Sequence, residues 1–227
     1  MTAGANKDTT APSSLRLVLT LAIAGLVSGI AIIGIYESTL PTITANKARE
    51  LREAVFKVLP GVSQMQALVH REGALVVVEK PAKDEPVVYG GYDEGGEFVG
   101  YAMPAAGPGF QDTIALLYGY TPDKKLVVGM EVLESRETPG LGDKIYKDAS
   151  FVGGFSALSV EPEILAVKKG TKSAPNEIDA ITGATISSKA VVRIINEAHS
   201  AWFERLPASG AEPEFVGVES VGNEADE

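Results

Sequence analysis

Cysteine is absent from all 227 residues. That removes disulfides, thiolate nucleophiles, cysteine-ligated zinc and protein-held iron–sulfur clusters together. It leaves the compartment open, because a domain of this size folds without disulfides on either side of a membrane. Histidine is scarce as well: His70 and His199 stand far apart in the chain, without the spacing of a metal motif. Each reads as a surface or packing residue, and a Ser-His-Asp triad has little support. Basic residues are outnumbered 20 to 30, for a net charge of −10. An acidic surface repels phosphates instead of releasing their counterions, which argues against nucleic acid as a partner. Glycines cluster at Gly90, Gly91, Gly95, Gly96 and Gly100. They lack both the spacing and the following helix of a dinucleotide fingerprint.

What the chain does contain begins with a polar stretch, residues 1–14, that reads as a flexible tail. From Leu17 to Tyr36 no residue is charged. A transmembrane helix needs about 20 such residues, so a span over 15–37 is expected. A cleaved signal peptide is the competing reading, with Gly29-Ile30-Ala31 as the cleavage site. Against it, the apolar run continues through Ile32, Ile33 and Ile35. Gly25 and Gly29 form a GxxxG pair that permits close packing against another helix. Lys7 and Arg16 before the span nearly balance Lys47 and Arg49 after it, so charge alone does not orient it.

A domain over 42–206 follows. Ile43, Ala48, Leu51, Val55 and Val58 share one face of an amphipathic helix over 42–59, stopped by Pro60-Gly61. Short β-prone runs come next, at 75–79, 86–92, 98–103, 114–120 and 126–133. Asp93-Glu94-Gly95-Gly96 and the stretch Thr121 to Lys125 read as hairpin turns, so neighbouring strands are antiparallel. Another strand is expected around Leu165-Ala166-Val167. Beyond Pro207 the chain carries acid without base and reads as a disordered, solvating tail over 207–227. The expected fold class is α+β: a single N-terminal transmembrane helix, then a domain with an antiparallel sheet and flanking helices.

Two irregular stretches could carry chemistry. Glu137-Thr138-Pro139-Gly140-Leu141-Gly142 follows a strand and precedes a short helical pattern. It is either an ordinary Pro-Gly turn or a place where bare backbone approaches a flat ligand. Asp179 to Ser188 packs hydroxyls around Gly183 just where a helical pattern begins, with Ala190, Val191, Ile194, Ile195, Ala198, Trp202 and Leu206 on one face. Thr182, Thr185 or Ser187 could simply cap that helix. The same junction offers unpaired N–H groups and the positive end of a helix dipole, which favour a phosphate.

Taken together and in this order behind one span, Glu137-Thr138-Pro139-Gly140-Leu141-Gly142 and Asp179-x-x-Thr182-Gly183-Ala184-Thr185 resemble the G subunit of the Rnf ion-translocating electron transport complex. The C subunit of the sodium-pumping NADH:quinone reductase shares both motifs. The resemblance extends through Asn46-Lys47-Ala48-Arg49-Glu50-Leu51 and Leu59-Pro60-Gly61 and leaves out only the two tails. It implies FMN held covalently by a phosphoester to Thr185, installed by a flavin transferase from FAD. It also implies a cytoplasmic N-terminus, an extracytoplasmic FMN-binding domain, and partnership with the other membrane subunits of a complex that couples ferredoxin–NAD chemistry to Na⁺ or H⁺ movement. Such a chain alone would turn over no substrate. By position, Glu137, Thr138, Gly140, Leu141, Gly142, Thr182, Gly183 and Ala184 would contact the cofactor. Asp179 would serve recognition or metal placement during attachment, since its charge would repel a finished phosphate. One departure stands out: Ser135 occupies a position where the family often has histidine, with Arg136 beside it. Two other readings stay in play, a quinone-reductase C subunit or other exported FMN carrier, and an anchored scaffold without cofactor.

Overall fold

The computed structural model describes residues 13–82 and 84–216. Apart from Ser13 and Ser14, the N-terminal stretch lies outside the described residues, as does the acidic end after Val216. The chain divides into two compact units, residues 1–49 and 50–227.

The first unit is the greater part of one helix, α1 (Ser14–Val58). It is long and apolar enough to cross a membrane. Leu21, Leu26, Ile30, Ile32 and Ile35 are exposed on all its sides, the pattern of a helix whose solvent is lipid. Two helices, a span and then an amphipathic one, are expected from the sequence; the structure has one. Pro41 lies inside it without ending it. A proline removes one backbone donor and crowds the preceding turn, but does not compel a break when the residues on both sides are strong helix formers.

The second unit holds a seven-stranded antiparallel sheet in the order β2-β1-β3-β4-β5-β6-β7. Its strands are β1 (Gln64–Arg71), β2 (Ala74–Val78), β3 (Val87–Tyr92), β4 (Phe98–Pro108), β5 (Thr113–Thr121), β6 (Leu126–Ser135) and β7 (Leu158–Ser159). Strands β3 to β6 form a meander, and the hairpin turns fall where the sequence places them. The first strand is not among the β-prone runs: Gln64, Gln66, His70 and Arg71 dilute its β-branched content, yet it sits between β2 and β3. A separate parallel pair, β8 (Leu165–Val167) with β9 (Glu177–Asp179), also lies beyond the antiparallel expectation.

One face of the sheet receives the last turns of α1, where Ala54, Val55, Val58 and Leu59 pack with Ala102 and Leu117. Glycine makes this seat possible. Gly119 and Gly129 face each other across β5 and β6. A Cβ on Gly119 would collide with the Val58 carbonyl, and one on Gly129 would lie 2.7 Å from the same oxygen.

The other face is covered by α4 (Thr185–Phe203), reached through the short helices α2 (Lys144–Lys147) and α3 (Ala149–Gly153). Val191, Ile194, Ile195 and Trp202 join Tyr101, Met103, Ile114 and Tyr118 in the main core. His199 lies edge-on to the Tyr120 ring at 4.7 Å, and burial pushes its imidazole below its usual pKa. It is a packing residue.

The expected disordered tail needs correction as far as Val216. Gln66 Nε2 donates to the Glu214 carbonyl at 2.9 Å, and its Oε1 accepts from Val216 N at 3.0 Å. Tyr92 donates its hydroxyl to the Pro213 carbonyl at 2.7 Å, and Phe215 packs on its ring. Burial raises the Tyr92 phenol to about 12, so it stays a donor. A side-chain amide with both of its ends engaged substitutes for a paired strand and straps 213–216 down; charge counting along the tail does not register it.

Candidate functional site

Three segments distant in sequence meet at one end of the sheet. The β4–β5 turn closes with Gly109 N donating to Asp112 O at 2.8 Å. After β6, the 137–142 loop folds back as Leu141 N and Asp143 N both donate to Thr138 O, at 3.1 and 3.3 Å, with Gly140 at φ +77°. After β9, residues 180–184 turn into α4. Gly183 has φ +83°, a conformation that strains any residue with a Cβ, and Ala184 N donates to Ile181 O at 2.9 Å.

The start of α4 is unusual for its many hydroxyls. Ala184 occupies the cap position and no side chain caps the helix; its first turn holds no acidic residue. Neither Thr182 nor Ser187 is the cap that the sequence allows them to be. Ser188 instead reaches backward, its Oγ accepting from Ile181 N at 3.1 Å and donating to Ala184 O at 2.9 Å. Thr185 is an exposed residue whose hydroxyl is only loosely held, with Oγ1 3.5 Å from Ile181 O. An uncapped helix start with free N–H groups favours an anion.

A cavity of about 350 Å³ opens here, lined by Phe110, Thr138, Leu141, Gly142, Gly183, Ala184, Thr185, Ile186 and Ser187. Six of the residues expected at the cofactor from sequence thus share one cavity: Thr138, Leu141, Gly142, Gly183, Ala184 and Thr185. Ser187 is an addition to the expected set, and so are Phe110 and Ile186. The last two are exposed large hydrophobics, 63% and 59%, and with Leu141 they give the cavity an apolar rim. No local signal marks Phe110, which sits in an unremarkable Gly-Pro-Gly-Phe turn. Ile186 continues the i, i+4 series of Ala190 and Ile194, so periodicity alone would bury it and does not reveal its exposure.

The remaining expected residues fall elsewhere. Gly140 and Thr182 are exposed and do not line the cavity. Asp179 accepts from Gly170 N at 2.9 Å and lines a different, smaller cleft with Asp148, Lys169 and Lys172. Arg136 lies 3.7 Å from Asp112 in an exposed pair, away from the lining, while Ser135 Oγ accepts from Glu137 N at 3.3 Å.

Glu137 differs most from its expected place at the cofactor. It is 5% exposed and points inward. Its Oε1 accepts from Phe110 N and Gln111 N, both at 2.9 Å, and its Oε2 accepts from Ser187 Oγ at 2.5 Å. Thr138 Oγ1 adds a second tie, donating to Gln111 Oε1 at 2.8 Å. Burial pushes the Glu137 carboxyl up, but the Ser187 hydroxyl and the two backbone amides outweigh it and hold the group below the usual carboxylate range. Gly109 and Gly142 clear the space: a Cβ on either would lie 2.5 Å from a Glu137 carboxylate oxygen.

Comparison with known proteins bears on this same end of the molecule. Residues 109–200 match the family model described as FMN-binding domain, and that range contains all three segments of the cavity. The G subunit of an ion-translocating oxidoreductase complex from Methanosarcina acetivorans is 30% identical over 183 residues, covering 81% of this chain and 91% of the relative. The chain belongs to this G-subunit family. Another member, the G subunit of the proton-translocating ferredoxin:NAD(+) oxidoreductase complex of Clostridium ljungdahlii, is 32% identical over 85% of this chain and 93% of its own. The fold is also that of Shewanella oneidensis NqrC, with a TM-score of 0.58 at 19% identity over 71% of this chain and 98% of that one. Family membership and the apolar length of α1 together make the chain a single-pass membrane protein.

Proposed function

We propose that this chain is the membrane-anchored flavoprotein subunit of an Rnf-type ion-translocating electron transport complex, with FMN joined to Thr185 by a phosphoester. The observation that carries the reading is Thr185, an exposed residue at an uncapped helix start on the edge of an apolar cavity. The residues present fit the group. Backbone N–H groups at the start of α4 would hold the phosphate, favoured by the helix dipole by about 0.3–1 kcal/mol when exposed. Phe110, Leu141 and Ile186 would cover a flat ring, and Gly142 and Gly183 would let it approach the backbone. Bound FMN supplies one- and two-electron redox chemistry that no side chain here can.

In the attachment reaction, Thr185 Oγ1 attacks the flavin-side phosphorus of FAD. The oxygen–phosphorus bond forms as the pyrophosphate bond breaks, AMP leaves, and the hydroxyl proton passes to a base on the flavin transferase. Asp179, on the strand before the turn, would then act at the face the transferase approaches and not in the cavity. We place the N-terminus in the cytoplasm and the domain outside, with the other membrane subunits of the complex as partners.

Intact mass of natively produced protein tests this. Covalent FMN adds roughly 440 Da, and a Thr185→Val chain should lack both that mass and flavin fluorescence in a denaturing gel. An unmodified mass from a host containing the transferase would favour the cofactor-free scaffold instead.

A further inference from the structure

We propose that Glu137 is the positioning residue of the Thr185 site: one buried carboxylate fixes the rotation of α4's first turn, so that Thr185 faces the cavity. The inference rests on the reading of Thr185 given above. Ser187 follows Thr185 by two residues, which places them about 200° apart around an α-helix. With Ser187 Oγ held on Glu137 Oε2 at the buried side of the turn, Thr185 comes to its exposed side, still in the cavity lining. The other carboxylate oxygen holds Phe110 N and Gln111 N and so sets the opposite wall of the same cavity. All three wall segments are thereby tied to a single group.

A plain packing role does not account for a carboxylate here. Burying a charge is costly unless it is well hydrogen-bonded, and a well-packed apolar residue often serves stability as well or better. Two glycines, Gly109 and Gly142, are spent on making room for it. What the carboxylate provides, and an apolar side chain cannot, is a directional hold on three donors from two other segments. Ser188, whose hydroxyl is bonded to Ile181 and Ala184, braces the turn before α4 within its own segment.

Reach, not charge, is the property on which the role depends. Glu137→Gln keeps an acceptor for the two amides and places a donor opposite Ser187 Oγ, which then accepts. Glu137→Asp keeps the charge but is one methylene too short to reach both sides. Ser187→Ala removes the single bond between carboxylate and helix, and alanine is a better helix former than serine. The rate of covalent flavin incorporation should be measured for purified full-length protein with flavin transferase and FAD, per folded molecule counted by near-UV circular dichroism. Ser187→Ala and Glu137→Asp should fall about tenfold to a hundredfold, the usual cost of misplacing a reacting group, while Glu137→Gln stays within about twofold. Incorporation at the unmodified rate in Ser187→Ala, or a Glu137→Gln rate as low as that of Glu137→Asp, would overturn the proposal. Thr185→Val run alongside keeps the two readings apart. Flavin on that variant refutes Thr185 as the attachment site, whatever the Glu137 series shows.

Discussion

The Glu137 carboxylate accepts hydrogen bonds at both oxygens in the folded chain, and they hold its pKa below the value it would have unfolded. The sign of its contribution follows. Stability from this group is fully present above the unfolded value of about 4.3 and is lost as pH falls through the lower folded value. The melting temperature of the unmodified protein should therefore fall more steeply below about pH 4.5 than that of Glu137→Gln, whose side chain does not titrate. Parallel slopes in a pH series of thermal melts would contradict this. At Gly142, an added methyl meets both Glu137 and Ser187 Oγ, the latter at 2.9 Å. Gly142→Ala should lower stability by about 1–3 kcal/mol in urea denaturation. Hydroxyls and a glycine at a helix start are local features, so the sequence marks this junction, while only the family resemblance points to Thr185 among its hydroxyls. The sequence does not show that Glu137 turns away from the cavity, since that direction depends on amides 26 and 27 residues away and a hydroxyl 50 away. Phe110 is invisible for the same reason.

Among the elements, the meander β3 to β6 and helix α4 are legible because alternation and helical periodicity each repeat over many residues. Strand β8 is expected and found at Leu165–Val167, but its parallel pairing with β9 is not legible, and β1 is missed because Gln64, Gln66, His70 and Arg71 dilute its β-branched content. The C-terminal strap is the clearest case, with its grip residing in Gln66, about 150 residues earlier in the chain. Gln66→Ala should free the strap, lower stability by about 1–3 kcal/mol and open a protease-sensitive site after residue 206, read by limited proteolysis with mass mapping. A cleavage pattern unchanged from the parent would count against the strap. Gly119→Ala attacks another junction, the seat of the Val58 carbonyl. Backbone cannot move aside as a flexible side chain can, so a loss at or above the overpacking range of about 1–3 kcal/mol is expected in the same urea assay.

For the whole molecule, α1 and family membership make a single-pass membrane protein, and alkaline carbonate washing should leave the full-length chain in the membrane fraction. Recovery in the wash would argue against a retained span. The cavity has a consequence at this scale too. Its walls come from a turn near residue 110, a loop near 140 and a helix start near 185, so bringing them together requires β4, β5 and β6 to pair and α4 to dock. A partly folded chain presents Thr185 on a loose peptide, without its facing wall. Under the proposed chemistry, the flavin is then a stamp applied only to finished molecules. The fluorescent fraction of a preparation would count correctly folded copies, and a folding defect far from the cavity would show itself first as missing colour.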